Sequence, residues 1–176
     1  MPDVIILRPQ SSEYAPYYGK YIAAIPGEEA FAVLRDQIQE TIRLLQSISE
    51  DRGSFRYAPG KWSIKEVVGH MCDTERIMAY RALRMARADA TALASFEQDD
   101  YVNAANFDGR SLHSLTAEFQ CIRAATLAFF GSLDEIALQR TGTASDLPFS
   151  VRALAYIIAG HERHHVRILE ERYQLK

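Results

Sequence analysis

Hydrophobic positions recur at intervals of three and four along four long stretches of the chain, and each stretch predicts an amphipathic helix. From Glu28 to about Glu50, the residues Phe31, Leu34, Ile38, Ile42, Leu45 and Ile48 share one face, and Gly53 is the expected stop. The second stretch carries the fullest start signal. Ser63 reads as N-cap, Glu66 three residues on as its capping-box partner, and Trp62 against Val67 as the hydrophobic staple. This helix should run to about Ala90, with Val67, Met71, Thr74, Met78 and Met85 inward and His70 at the edge of the same face. Ser111 or Ser114 caps the third, in which Leu115, Phe119, Ile122, Thr126, Phe129 and Leu133 keep a four-three spacing. Ser150 caps the fourth, Val151 to Tyr173, whose stripe is Val151, Leu154, Ile158, Ile168 and Leu169. Residues 91–110 and the loop from Asp134 to Phe149 show no sustained period, and no strand pattern is convincing. The economical architecture is all-α: a four-helix bundle whose helices are joined by long as well as short connections.

Residues 1–26 read as an N-terminal arm in which Tyr14, Tyr17, Tyr18 and Tyr21 crowd together before Pro26-Gly27. Packing of those rings over the domain's own surface is the simpler expectation, ahead of a ligand-contacting lid or a dimer contact. At 176 residues, 48% hydrophobic and 24% charged, the chain suits one domain, 1–176, with one sizeable core. Nine Gly and six Pro leave little room for low-complexity sequence. A formal charge of −3, with Lys and Arg scattered among acids, argues against nucleic-acid binding. No apolar run spans a bilayer and no signal peptide is evident, so no membrane association and a cytoplasmic location are expected. Cys72 and Cys121 are expected to be reduced rather than paired.

Candidate chemistry concentrates in Gly160-His161-Glu162-Arg163-His164-His165, which holds three of the five histidines inside an apolar helical pattern. At roughly 100° per residue, His161 and His165 fall near the centre of the stripe, while His164 lies roughly 80° away on the flank. Two inward imidazoles one turn apart are what a transition metal needs from a helix. If the second and fourth helices are neighbours, His70 joins them, and three protein ligands leave a position open for water or substrate. Zinc is the first expectation, with nickel, iron and manganese compatible with the same donors. Taken alone, His70 would more often be a core histidine with a hydrogen-bond partner. The pair on the fourth helix changes that balance, because each unsatisfied buried polar group costs about 1–3 kcal/mol.

The same letters match His-Glu-x-x-His, the zinc-protease pattern. Such proteases take a third ligand from a downstream element, and here only the rest of the same helix follows, so that reading fails on geometry. Glu162 points roughly 100° away from His161 and is expected to be solvated or to support the site from outside the ligand shell. His164 has a similar supporting or exposed role, and His113 reads as surface. Arg81, three turns beyond His70, would either bind an anionic substrate group or, more simply, pair with a neighbouring acid. Asp99 and Asp100 would orient a ligating histidine or merely cap a turn. Cys72, two residues from His70, is turned about 200° off the site and is not counted as a ligand.

The segments Trp62-Ser63-Ile64-Lys65-Glu66-Val67-Val68-Gly69-His70, Asp73-Thr74-Glu75-Arg76, Tyr80-Arg81, Phe96-Glu97-Gln98-Asp99-Asp100-Tyr101 and Ala159-Gly160-His161-Glu162-Arg163-His164-His165 together resemble the DinB-like (YfiT-like) superfamily over nearly the whole chain. The resemblance implies a four-helix bundle, commonly a homodimer, with a divalent metal held at the positions of His70, His161 and His165. It also implies activities such as thiol S-transfer with bacillithiol or mycothiol, or thiol-dependent maleylpyruvate isomerisation. The expected function is therefore a metal-dependent enzyme that transfers a low-molecular-weight thiol to a small electrophilic substrate, with a metal-bound water or thiolate as the reactive species. The alternatives are a metal-dependent hydrolase of small esters or amides, and a non-catalytic, stress-related binding protein whose metal only staples the bundle.

Overall fold

The computed structural model describes residues 4–27 and 29–175; the expected helix start at Glu28, and the first three residues of the arm, lie outside them. Among the described residues the helices are α1 (Gly19–Ala23), α2 (Ala30–Gln46), α3 (Ile64–Ala86), α4 (Gln98–Ala105), α5 (Leu112–Phe130), α6 (Glu135–Gln139) and α7 (Val151–Arg172), with strands β1 (Thr141–Ala144) and β2 (Leu147–Ser150). The four long helices form the bundle. Helix α3 packs on α5 and α7, and α2 packs on the same two, so α2 and α3 occupy opposite corners although they are consecutive. Connections therefore cross the bundle ends, which is why they are long. None of the described helices is long and apolar enough to cross a membrane.

Local chemistry fixes the starts of the helices. The Ser63 hydroxyl accepts from the Glu66 N–H at 3.1 Å while the Glu66 carboxylate accepts from the Ser63 N–H at 2.7 Å, a complete capping box. Ser111 and Ser150 cap α5 and α7 through the N–H groups of Ser114 and Ala153. Of the two serines expected at the start of α5, Ser111 is the cap.

The interior is divided. One apolar cluster gathers the N-terminal half of α7, the C-terminal half of α3, α1 and the strands; a second gathers the N-terminal halves of α3 and α5 with Ile38, Ile42, Leu45, Leu169 and Tyr173. Between them, each long helix carries buried polar side chains at one level: Gln37 and Thr41 on α2, His70, Thr74 and Glu75 on α3, Arg123 and Thr126 on α5, and His161, Glu162 and His165 on α7. That layer is the part of the fold that bears chemistry.

Several boundaries differ from the sequence reading. Helix α2 ends at Gln46 with Ser47 as C-cap, and Gly53 belongs to a separate 3₁₀ turn, Glu50–Ser54. A Cβ at Gly53 would lie 2.6 Å from the Lys65 side chain, which would have to shift to admit it. Helix α3 stops at Ala86, not Ala90, because Arg87 leaves helical geometry and Ala88 turns into the left-handed region at φ 58°. The aperiodic 91–110 segment contains α4 and a 3₁₀ turn, Phe107–Gly109. The segment after α5 contains α6 and an antiparallel hairpin, pairing Thr141 with Ser150 and Ala144 with Leu147, where no strand was expected. Its two turn residues, Ser145 and Asp146, both take positive φ (53° and 59°). This is the geometry usually announced by Asn-Gly or Asp-Gly, and without those letters the hairpin left little trace in the sequence.

Candidate metal centre

Helices α3 and α7 lie side by side and bring His70, His161 and His165 to one point in the polar layer. All three side chains are buried. The Nε2 atom of His161 lies 3.0 Å from that of His70 and 3.1 Å from that of His165. A neutral imidazole has one donor and one acceptor, so the single lone pair or proton on His161 Nε2 cannot serve both neighbours well. His165 Nδ1 is buried without a hydrogen-bond partner. An ion about 2.1 Å from each nitrogen would separate adjacent ligand atoms by about 2.9–3.4 Å, the spacing that His161 Nε2 keeps from both of its neighbours, and one ring nitrogen of each of the three residues lies within 4.8 Å of the others. The donor set therefore fits a divalent metal.

Burial keeps the cluster neutral. It pushes His70 down to about 4, helped by the neighbouring His164, and holds His161 and His165 well below the usual imidazole range, with the other histidines adding to the effect. Neutral imidazole is the ligating form, so this environment presents the nitrogens ready for a cation. Trp62 lies over His70 with ring centroids 4.8 Å apart, so the staple residue also walls the site.

Gly160 determines how the roof forms. A Cβ at this position would sit 2.0 Å from the carbonyl oxygen of Tyr21. With glycine there, α1 lies directly on α7, and the Tyr21 ring packs edge-on against His161 and His164, with centroids 5.4 and 5.6 Å apart. His164 is thus half-buried on the flank of α7, as its helical angle implied.

Two hollows reach the cluster. One, about 280 Å³, is lined by His70 and His161 with Tyr17, Tyr18, Tyr21 and Phe96; the other, about 300 Å³, reaches His165 between Trp62, Lys61 and Tyr173. Gln98 and Asp99, in the first turn of α4, border both. Asp99 thus stands at the mouth of the site and Asp100 is exposed, and among the described residues neither makes a hydrogen bond to a ligating histidine. The tyrosine arm packs over the domain's own surface, with Tyr18 edge-on against Phe149 of β2, and three of its tyrosines also line a cavity. Cys72 is buried facing the Leu115 carbonyl, away from the cluster, and Cys121 is exposed. His113 is on the surface.

Two residues behave differently from expectation. Glu162 is neither solvated nor in contact with the ligating histidines. It is buried, accepting from Thr41 Oγ1 at 2.6 Å and from Gln37, and paired with Arg123 at 2.7 Å. Arg123 also holds Glu75 with two bonds of 2.9 and 2.8 Å. The 100° turn that takes Glu162 off the site points it into the bundle toward α2 and α5, because α7 is buried on several sides. Arg81 is fully buried, yet no carboxylate pairs with it among the described residues; it donates to Ala94 O and Ser145 Oγ, both at 2.9 Å. Neighbouring acids on α3 lie elsewhere, and the hairpin turn takes their place. Gln37, Thr41, Glu75 and Arg123 were missed altogether, since one polar residue on an apolar stripe resembles the edge of the stripe.

A family model described as the DinB superfamily matches residues 33–169. Among solved structures, YfiT from Bacillus subtilis, described as a probable metal-dependent hydrolase with an unusual four-helix bundle topology, superposes with a TM-score of 0.74 at 14% identity, covering 97% of this chain and 95% of that one. A mycothiol-dependent maleylpyruvate isomerase superposes with a TM-score of 0.64 at 11% identity over 78% of this chain, which spans 58% of that structure. At such identities the likeness is one of fold. No curated protein matches the chain.

Proposed function

The chain belongs to the DinB superfamily, and on that premise we propose that it is a metal-dependent enzyme acting on a small molecule, with His70, His161 and His165 as the ligands of one divalent ion. Zinc is the first choice, with nickel, iron or manganese served by the same donors. The observation that carries the reading is the convergence of three buried, neutral imidazoles, two of which, His70 and His161, line an open hollow. A metal that only stapled the bundle would have no use for such an opening.

Bound there, the ion would supply Lewis acidity that favours the deprotonated form of a thiol or water. The chain's own residues do the rest. Trp62 and Tyr21 exclude water from two sides of the imidazoles, Gly160 lets α1 close over α7, and α4 brings Asp99 to the border of both hollows. Two separate approaches to one centre suit a reaction with two partners, so transfer of a low-molecular-weight thiol to an electrophile is the preferred reaction. The second reading, hydrolysis of a small ester or amide, is favoured by the description of YfiT as a probable metal-dependent hydrolase. A single domain, a cytoplasmic location and a homodimer belong to the same proposal; sedimentation velocity reads the last.

The test is turnover by the metal-loaded protein with and without added thiol, using an activated electrophile and an activated ester. Thiol-dependent loss of the electrophile supports transfer; thiol-independent ester cleavage supports hydrolysis. No turnover of either, with melting temperature the only property that follows the metal, would leave a structural ion.

A further inference from the structure

We propose that Thr74 serves the metal centre twice: its hydroxyl accepts a hydrogen bond from His70 Nδ1, and it gives its own proton to the sulfur of a thiol held in the tyrosine-lined hollow. The inference rests on reading His70 as a ligand and this hollow as the approach of the thiol.

Thr74 forgoes the bond that a helical threonine ordinarily makes. Inside a helix the hydroxyl can donate to the carbonyl four residues back, and Thr116 on α5 does so, to Leu112 O at 2.8 Å. For Thr74 on α3 that carbonyl belongs to His70, and among the described residues no such bond is made. Its Oγ1 lies instead 3.5 Å from Nδ1 and 3.5 Å from Nε2 of the His70 ring. That is the outer limit of a hydrogen bond, so neither nitrogen holds the hydroxyl firmly. The residue is nevertheless only 4% exposed, and a buried hydroxyl so weakly bonded is costly. Thr74 lines the same hollow as His70 and His161. A hydroxyl turned from its backbone partner toward a ligand ring at the wall of a cavity is placed for what enters that cavity.

The proton count sets the direction of each bond. His70 Nε2 faces His161 Nε2 at 3.0 Å and is the nitrogen that the ion would take. A neutral imidazole then carries its one proton on Nδ1, whose hydrogen-bond partner among the described residues is Thr74 Oγ1. A hydroxyl that accepts from the ring still has its own proton to give. A thiolate in the hollow would accept it as a charge-assisted bond. On the other side, a ligating histidine whose far nitrogen is held keeps its ring orientation and its tautomer. His165 differs, because its Nδ1 is buried with no partner.

Cobalt(II) is the probe ion, used on the full chain. Thr74→Val removes the hydroxyl at nearly constant shape and Thr74→Ser keeps it; Thr74→Ala takes the place of the valine variant if circular dichroism shows that one unfolded. Two constants are read: cobalt affinity, by competition with a chelator, and, at saturating cobalt, affinity for 2-mercaptoethanol from the visible spectrum of the ion. Thr74→Val is expected to bind cobalt about tenfold more weakly, the scale of losing an outer hydrogen-bond partner of a ligating histidine. Its thiol affinity should also fall about tenfold, as for one charge-assisted bond. Thr74→Ser should stay close to wild type in both. Equal constants in wild type and Thr74→Val, or a Thr74→Ser protein as weak as Thr74→Val, would overturn the proposal. Loss of one constant alone would overturn the half that the other measures, and a cobalt-loaded wild type that ignores the thiol would overturn the substrate contact. Failure of the metal reading would show separately, as no stoichiometric cobalt uptake by wild type.

Discussion

Glu162 and Arg123 carry the heaviest electrostatic load in the bundle. Burial drives the Glu162 carboxyl above its usual range, and Arg123, with Thr41, pulls it back; Arg123 itself is held firmly protonated by the two carboxylates it bridges, against the effect of burial. Arg123→Met would leave Glu75 and Glu162 facing each other without a cation. Removing one partner of a buried pair costs about 3–5 kcal/mol, so a large fall in melting temperature is expected, read by thermal denaturation. A milder case is Glu13 of the N-terminal arm, which pairs with Arg152 at the start of α7. Burial opposes its ionisation, but the hydrogen bonds from Arg152 and the Ser150 hydroxyl win, and its carboxyl is held at about 2. Because the folded value lies below the ordinary 4.5, the pair's stabilisation is present above pH 4.5 and is lost as pH falls toward 2. Its size is below about 1 kcal/mol, since the pair is near solvent. The melting-temperature gap between wild type and Glu13→Gln should therefore close across that pH window; a gap that widened would contradict the assignment.

Packing of α1 against α7 depends on a single absent side chain. Gly160→Ala would place a methyl carbon 2.0 Å from the Tyr21 carbonyl oxygen, and backbone rather than a flexible side chain would have to move. A destabilisation of about 1–3 kcal/mol is expected, together with displacement of the tyrosine wall from His161. Hydrogen exchange localised to residues 19–24 would read it, and unchanged protection there would count against the close approach. Helical structure of this kind was legible where one signal dominated. The Ser63–Glu66 box, the Ser150 cap and the one-turn spacing of His161 and His165 each follow from local chemistry, and each is found in the structure. The hairpin was illegible because Thr141–Ala144 and Leu147–Ser150 are short, include Gly142 and Pro148, and meet through a Ser-Asp turn. Yet that hairpin anchors the chain beyond α3: Leu93 exchanges backbone bonds with Thr143 and Ser145, both at 2.9 Å.

Across the bundle, the two apolar clusters are separated by a polar layer contributed by all four long helices. Its histidine side opens to the hollows and its carboxylate–arginine side is sealed. The histidine side could be anticipated, because imidazoles in an apolar stripe are rare enough to be noticed. The sealed side could not, because Gln37, Thr41, Glu75 and Arg123 come from three helices and acquire meaning only once α2, α5 and α7 are neighbours. The same dependence on packing makes the layer's two halves separable by experiment: loss of Arg123 should lower stability, whereas loss of a histidine should remove metal. The most direct measurement is the metal content of the purified protein, by plasma mass spectrometry, for wild type and for His70→Ala, His161→Ala and His165→Ala. Stoichiometric divalent metal in wild type, lost or greatly depleted in each variant while helical content is kept, is the expected result. A wild-type protein that takes up no divalent metal, or a His161→Ala variant that retains it in full, would contradict the three-histidine centre.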